Sequence, residues 1–583
     1  MSEICREKVF AYNWAGETLY FAVFREEENI LRTVRADGSA GETVRLPKVY
    51  DNAYDIIMVL DNGKTRVIIG VEEKGLFAMY FDLRDGSMSC EPIGSGGILY
   101  AAFFWAGGSF YLTVESRQKA GIIYRYDEQT ENFVEVWRSC ERYILNVTET
   151  LDGRLGIESH RYRDNKTECM ITDVKERKER REISFHRASR ERFCCDLGKY
   201  VISSNVLGET RFFCVRQSAD NTVELLDVGY VQGHEYEYLY YSREKLLVFY
   251  ESGATVSDLV FYDLAGEKEA GRIRDVIPYS NCITETGEKL MAAVFDVYSQ
   301  LRIYTVDTGT YEISVVYQYE KQEAKPGLGK SKLAVTDQRT MDYIVYKPEG
   351  SGEVPAGTVC MLHGGPNTHW YPRYDKRICH MLEAGYRVIY PNYFGSSGYG
   401  KIDYTKKENK WGQADVLDII RLGEEMPAGE RILYGESYGG FLAFRVWLKN
   451  PKLWDKVILY APFFSPESLW NASTDELSRR TVERCGRLDT EEAFDTPGAL
   501  QEAVQCTEFY VIHGTEDQVV PCQESVKIVN YLRENFTWGK EPRLYLLDGA
   551  GHAGGGIRQE LRREQALALA LSGNMAGRGH YVL

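Results

Sequence analysis

An aspartate that closes a short apolar run recurs seven times in the first 320 residues of this 583-residue chain, at positions 37, 82, 127, 173, 220, 263 and 307. The gaps between them are 45, 45, 46, 47, 43 and 44 residues. Each is preceded by aromatic and β-branched residues and followed by a polar stretch, as in IYRYDEQTENFVEV and VFYDLAGEKEAGRI. That period matches one four-stranded propeller blade, with each aspartate marking a hairpin between two strands. A β-sandwich has no reason to hold so even a spacing over seven units. The expectation is a seven-bladed β-propeller over residues 1–320. The period is a packing requirement, because each blade buries its faces against its neighbours, and it carries no chemistry of its own.

The texture changes at the end of this region. Only Pro47, Pro92 and Pro278 precede residue 320, and the other thirteen of the sixteen prolines follow it. The polar segment 321–333 reads as a linker. From 334 to 583 apolar strands such as TVCMLH, YRVIYP, RILYG, KVILYAP, EFYVIHG and RLYLLD alternate with helical patterns. This alternation predicts an α/β-hydrolase domain, a mostly parallel doubly wound sheet with helices on both faces. Chemistry in such sheets gathers at the C-terminal ends of the strands.

The motifs lie at those ends. Gly435-Glu436-Ser437-Tyr438-Gly439 is the chain's one G-x-S-x-G, and it follows a strand and opens a helix. A serine hydroxyl needs a base and a group to orient that base. In chain order, Asp517 follows the strand EFYVIHG and His552 follows RLYLLD. The predicted triad is Ser437, Asp517 and His552. The turn His363-Gly364-Gly365-Pro366 follows TVCMLH and exposes backbone amides suited to an oxyanion, with the amide of Tyr438 as second donor. No histidine pair has metal-binding spacing and no phosphate-binding glycine loop is present, so neither metal nor cofactor is expected.

The composition bounds the partners. A net charge of −16 disfavours nucleic acid. No apolar stretch has the roughly 18 residues of a membrane span. The opening MSEICREKVFAYNW lacks the apolar core of a secretory signal, and the thirteen cysteines include no C-x-x-C pair. A cytoplasmic protein without membrane association is expected, and a homo-oligomer is compatible with the sequence.

HGGP (363–366), NYFGSSGYG (392–400), WGQADVLD (411–418), GESYGG (435–440), HGTEDQVVP (513–521) and GAGH (549–552) together resemble the prolyl oligopeptidase family of serine peptidases, and most nearly its acylaminoacyl-peptidase branch. The resemblance spans the whole chain. It implies Ser437 as nucleophile, His552 as general base, Asp517 as its orienter, and the amides of Gly365 and Tyr438 as oxyanion donors. It also implies a propeller that restricts the site to short peptides. Dipeptidyl members hold the substrate amine with paired acids, a role open to Glu235 and Glu237, although a solvated strand face explains these two more readily. Phe463, Phe464 and Trp470 offer an apolar S1 wall or simply core. The sequence departs from the family at Phe394, where an arginine is usual. It also places Glu436 beside the nucleophile, either turned into the scaffold or facing a cationic substrate group. An esterase or amidase would use the same triad, and a non-catalytic propeller binding protein is the reading from another class.

Overall fold

The computed structural model describes residues 7–582 apart from connecting segments, of which those of six residues or more are 47–55, 186–191, 205–210, 217–222, 320–325, 349–354, 400–410, 483–505 and 574–579. Seven four-stranded antiparallel sheets come first, within 8–45, 56–93, 98–139, 142–185, 192–225, 235–273 and 276–318. In six of the seven the repeated aspartate sits at the end of the third strand or in the turn just after it. Asp220 lies outside the described residues. Where side chains are described the reason is visible. Asp37 Oδ1 accepts the amide of Ser39 at 2.8 Å, Asp263 Oδ1 those of Ala265 at 2.9 Å and Gly266 at 3.0 Å, and Asp307 Oδ1 those of Gly309 at 3.0 Å and Thr310 at 2.7 Å. The carboxylate closes the turn by replacing a backbone acceptor, which is why the residue recurs.

The first strand of the first sheet (Lys8–Ala15) packs against both the second sheet and the first strand of the last (Val276–Thr286). Residues from the two ends of the region, including Val9, Trp14, Phe21, Met291 and Ile303, share one apolar cluster.

The second half is one nine-stranded sheet. Its strands are β1 (Gly327–Thr336), β2 (Arg339–Lys347), β3 (Gly357–Leu362), β4 (Tyr386–Pro391), β5 (Glu430–Glu436), β6 (Lys456–Tyr460), β7 (Glu508–Gly514), β8 (Arg543–Leu547) and β9 (His580–Val582). They lie in the order β1-β2-β4-β3-β5-β6-β7-β8-β9. β1 and β2 are antiparallel, and every pairing from β4 onward is parallel. The run of parallel pairings agrees with the doubly wound sheet expected from the alternation of strand and helix. Helices α1 (Lys376–Glu383), α2 (Ala414–Glu425), α3 (Tyr438–Lys449), α4 (Pro466–Ala472), α5 (Gln523–Asn535) and α6 (Ile557–Ser572) complete the described part. One apolar cluster gathers α2, α3 and α5 around Trp447, and a second lies on the other face under α1 and α6. No helix among the described residues is long and apolar enough to cross a membrane.

The segment expected as a linker is in part a strand, because β1 begins at Gly327 and pairs along its length with β2. β1 is an edge strand, so alternate residues face solvent, and GLGKSKLAVT reads as polar for that reason. Its Leu333 and Val335 pack on the core, and Lys330 reaches Asp275 of the preceding region at 2.5 Å.

The two regions meet at Asn392, which is 1% exposed. Its Oδ1 accepts the Trp370 amide at 2.6 Å, and its Nδ2 donates to the Trp370 carbonyl at 2.8 Å and to the carbonyl of Ala254 in the sixth sheet. Replacing Asn392 by alanine strands these buried peptide groups, at a cost of about 1–3 kcal/mol for a group left unsatisfied. A lowered thermal midpoint for Asn392→Ala is therefore expected in calorimetry, and an unchanged midpoint would contradict this account of the junction.

Candidate active site

Ser437 follows the last residue of β5 and caps α3, with φ 54° and ψ −118°. A non-glycine residue at positive φ is strained, and surrounding structure must hold it there. The Ser437 amide donates to the Tyr460 carbonyl at 2.8 Å, and its carbonyl accepts the Phe441 amide at 3.0 Å as the helix begins. The flanking glycines are required by close approach. A Cβ on Gly435 would lie 2.1 Å from the Gly439 carbonyl oxygen, and one on Gly439 would lie 2.4 Å from that of Leu362. The backbone of β3, β5 and α3 converges here with no room for a side chain.

The structure brings together the three predicted triad residues. His552 Nε2 is 3.0 Å from Ser437 Oγ, and His552 Nδ1 is 2.7 Å from Asp517 Oδ2. Asp517 Oδ1 accepts the amides of Val519 at 3.0 Å and Val520 at 2.8 Å. Burial works against ionisation of Asp517, but hydrogen bonds from His513 and His552 outweigh it and lower its pKa to about 2. A carboxylate on Nδ1 fixes the proton there and leaves Nε2 free to accept from the serine. The loops that carry acid and base are stitched together: the Thr515 amide donates to the Leu547 carbonyl at 3.0 Å and the Glu516 amide to the Ala550 carbonyl at 3.0 Å.

His513, to which the sequence motif assigns no role, also reaches the acid. It is fully buried, and its Nε2 lies 2.7 Å from the Val520 carbonyl and 3.2 Å from Asp517 Oδ2. A carbonyl only accepts, so Nε2 carries the proton and Nδ1 accepts from the Ser525 hydroxyl at 2.6 Å. The histidine that opens HGTEDQVVP thus braces the orienting acid.

The HGG turn lies on the elbow. A Cβ on Gly364 would come within 3.2 Å of Ser437 Cβ. Gly365 has φ +63°, and Tyr438 is the first residue of α3, where amides have no intrahelical acceptor. The side chain of His363 turns into the protein, stacked on Tyr393 at 4.2 Å and 2.9 Å from Ser396 Oγ. The Tyr438 ring is buried and its hydroxyl donates to Asp415.

Other predicted residues fall differently. Phe463 is 2% exposed and stacked on Phe441 at 4.7 Å, so it is core and forms no open wall. Phe464 and Trp470 are half-buried beside it, and the Arg479 guanidinium lies 4.7 Å over the Trp470 ring. Glu524 holds this segment, accepting the Phe464 amide at 3.0 Å and the Ser468 hydroxyl at 2.7 Å. Glu235 and Glu237 share one face of the first strand of the sixth sheet, exposed and half-buried. Glu237 opposes Tyr250, whose hydroxyl lies 3.1 Å from Ser257 Oγ. At Phe394, Arg339 of β2 lies 5.0 Å over the ring and forms a two-pronged pair with Asp418. Glu436 turns into the scaffold between Arg377 and Arg563.

Residues 372–576 match the model of the prolyl oligopeptidase family. A probable dipeptidyl-peptidase 5 of Emericella nidulans is 28% identical over 210 residues, 33% of this chain and 28% of the relative. The chain thus spans under a third of that relative's length. Among solved structures, a Mycobacterium tuberculosis puromycin-hydrolyzing peptidase superposes with a TM-score of 0.72 at 15% identity, covering 100% of this chain and 96% of the other. A Pyrococcus horikoshii acylaminoacyl peptidase gives 0.69 at 15% identity, covering 98% and 97%. At such identities the likeness is one of fold.

Asp517 supplies a pH prediction. Its folded pKa of about 2 lies below the roughly 3.9 of an unfolded aspartate. The stability it contributes is present above pH 4 and disappears as pH falls through 2, at about 2 kcal/mol. Urea midpoints should fall between pH 5 and pH 3 in the parent and fall less in Asp517→Asn. Equal slopes would contradict the assignment.

Proposed function

We propose that this chain, a member of the prolyl oligopeptidase family through residues 372–576, is a serine peptidase that cleaves short peptides through an acyl-enzyme. The observation that carries the reading is the unbroken line from Asp517 to His552 to Ser437, at 2.7 and 3.0 Å, beside an amide-rich turn. As Ser437 Oγ attacks the scissile carbonyl carbon, its proton passes to His552 Nε2. The carbonyl oxygen becomes an oxyanion facing the amides of Gly365 and Tyr438. When the C–N bond breaks, His552 returns the proton to the leaving amine. Water then enters, gives a proton to His552 and releases the acid, and Ser437 recovers its proton. Asp517 stays ionised and stabilises the imidazolium.

The seven sheets form a seven-bladed propeller in this reading, closed where the first sheet packs on the last. The propeller spans 1–320 and the hydrolase domain begins with β1. Contact between the sixth sheet and the loop at Asn392 sets the propeller over the site, as a filter for short peptides. Small esters need no such filter, which favours peptides over the esterase reading. Phe464 and Trp470 line S1, and Glu235 and Glu237 face an amine-bearing substrate end.

The test is mass spectrometry of a defined mixture of short peptides, some N-acetylated, incubated with the parent and with Ser437→Ala. Cleavage by the parent, reduced at least a thousandfold in the variant, is expected, since triad members act as a unit. Equal cleavage by both would overturn the assignment of Ser437. Turnover of ester probes without cleavage of any peptide would favour the esterase.

A further inference from the structure

Beside the elbow lies a cluster of four charges that the mechanism does not use. Glu436, the residue before the nucleophile, meets Arg377 on one side, and its Oε1 is 2.7 Å from Arg563 on the other. Arg377 in turn grips Asp375 with two bonds, 2.9 Å from Nε and 2.5 Å from Nη2. The side chains of Asp375, Arg377 and Arg563 are 9%, 14% and 13% exposed. Two carboxylates and two guanidiniums make the cluster neutral, the condition under which such burial is tolerated.

Its members come from three separate segments of the chain. Asp375 and Arg377 stand at the start of α1, on the chain leaving the HGGP turn. Glu436 ends β5, and Arg563 lies in α6, the helix after the His552 loop. The cluster therefore ties together the oxyanion turn, the nucleophile and the base. Arg563 makes a second tie, with its guanidinium 3.7 Å over the Tyr460 ring and Nη2 3.2 Å from the Tyr434 hydroxyl. Tyr460 is the residue whose carbonyl holds the Ser437 amide. The two carboxylate oxygens of Glu436 divide between the two arginines, Oε2 to Arg377 and Oε1 to Arg563.

We infer that Glu436 and Arg563 are positioning residues, which set the Ser437–His552 distance by joining the nucleophile loop to the base loop through this cluster. The inference rests on the proposed roles of Ser437 and His552. Neither residue touches substrate, so their loss should slow chemistry and spare binding. A misplacement of about 1 Å between reacting groups costs on the order of a hundredfold in rate.

Glu436→Gln alone leaves two guanidiniums against one carboxylate and can fail to fold for that reason. The double variant Glu436→Leu/Arg563→Met removes one charge of each sign and keeps the Asp375–Arg377 pair. Two rates are measured on folded protein, checked by circular dichroism: inactivation by a fluorophosphonate, which needs only an activated serine, and steady-state cleavage of a peptide. The double variant should be inactivated about 10- to 100-fold more slowly, with kcat lowered by the same factor and KM within about twofold. Arg563→Lys, which keeps the charge but loses the planar fork, should fall between it and the parent. A folded double variant that reacts and turns over at parent rates would overturn the inference while leaving the serine reading intact. A parent that the fluorophosphonate does not label would overturn both.

Discussion

Everything chemical in this chain depends on one backbone constraint, the positive φ of Ser437. At φ 54° the chain reverses from strand into helix within a single residue and lifts the hydroxyl clear of both. That conformation costs of order 1–3 kcal/mol for a residue with a Cβ, so it persists only because its neighbours over-determine it. β3 and β6 flank β5 in parallel register, and the Tyr460 carbonyl holds the Ser437 amide. Glycines at 435 and 439 let backbones approach to distances that no side chain would permit. The sheet is thus the device that stores the strain, and the clusters around Trp447 and under α6 keep the sheet from relaxing it.

The electrostatics are arranged in two layers. On the side facing the serine, Asp517 is held as an anion by two amides, His513 and His552, and so fixes the proton on His552 Nδ1, the nitrogen that it faces. On the side away from it, Glu436 would be an uncompensated anion beside the nucleophile were it not paired with two arginines. Burial opposes its charge, yet Arg377 and Arg563 lower its pKa to about 2. The acid next to the serine is consequently scaffold and leaves the field at the oxyanion turn to the amides.

Much of this was legible in the sequence, for reasons that particular residues make clear. The aspartate period was readable because, where its side chain is described, the carboxylate closes the turn after the third strand, as Asp263 and Asp307 do. The meeting of Ser437, Asp517 and His552 was readable because each follows an apolar run that reads as a buried parallel strand. Other features were not. β1 looked like a linker because an edge strand exposes Lys330 and Lys332 on one face. Phe463 read equally as pocket wall or core because one aromatic run serves both, and only the stack on Phe441 distinguishes them. The substitution of Phe394 left its consequence open, since Arg339 approaches from 55 positions earlier in the chain and no local pattern announces that contact. Arg377 and Arg563 are separated by nearly 200 residues and meet only through Glu436.

The central claim is that Ser437 carries the acyl group of a peptide during turnover. It is tested most directly by quenching the enzyme in acid during steady-state cleavage of an N-blocked peptide, digesting it and mapping modified fragments by mass. The account predicts an acyl adduct on the fragment containing Ser437, on no other fragment, and lost on chasing with excess buffer. Continued peptide turnover with the adduct on another residue, or with Ser437 unmodified after rapid quenching of a burst, would contradict it.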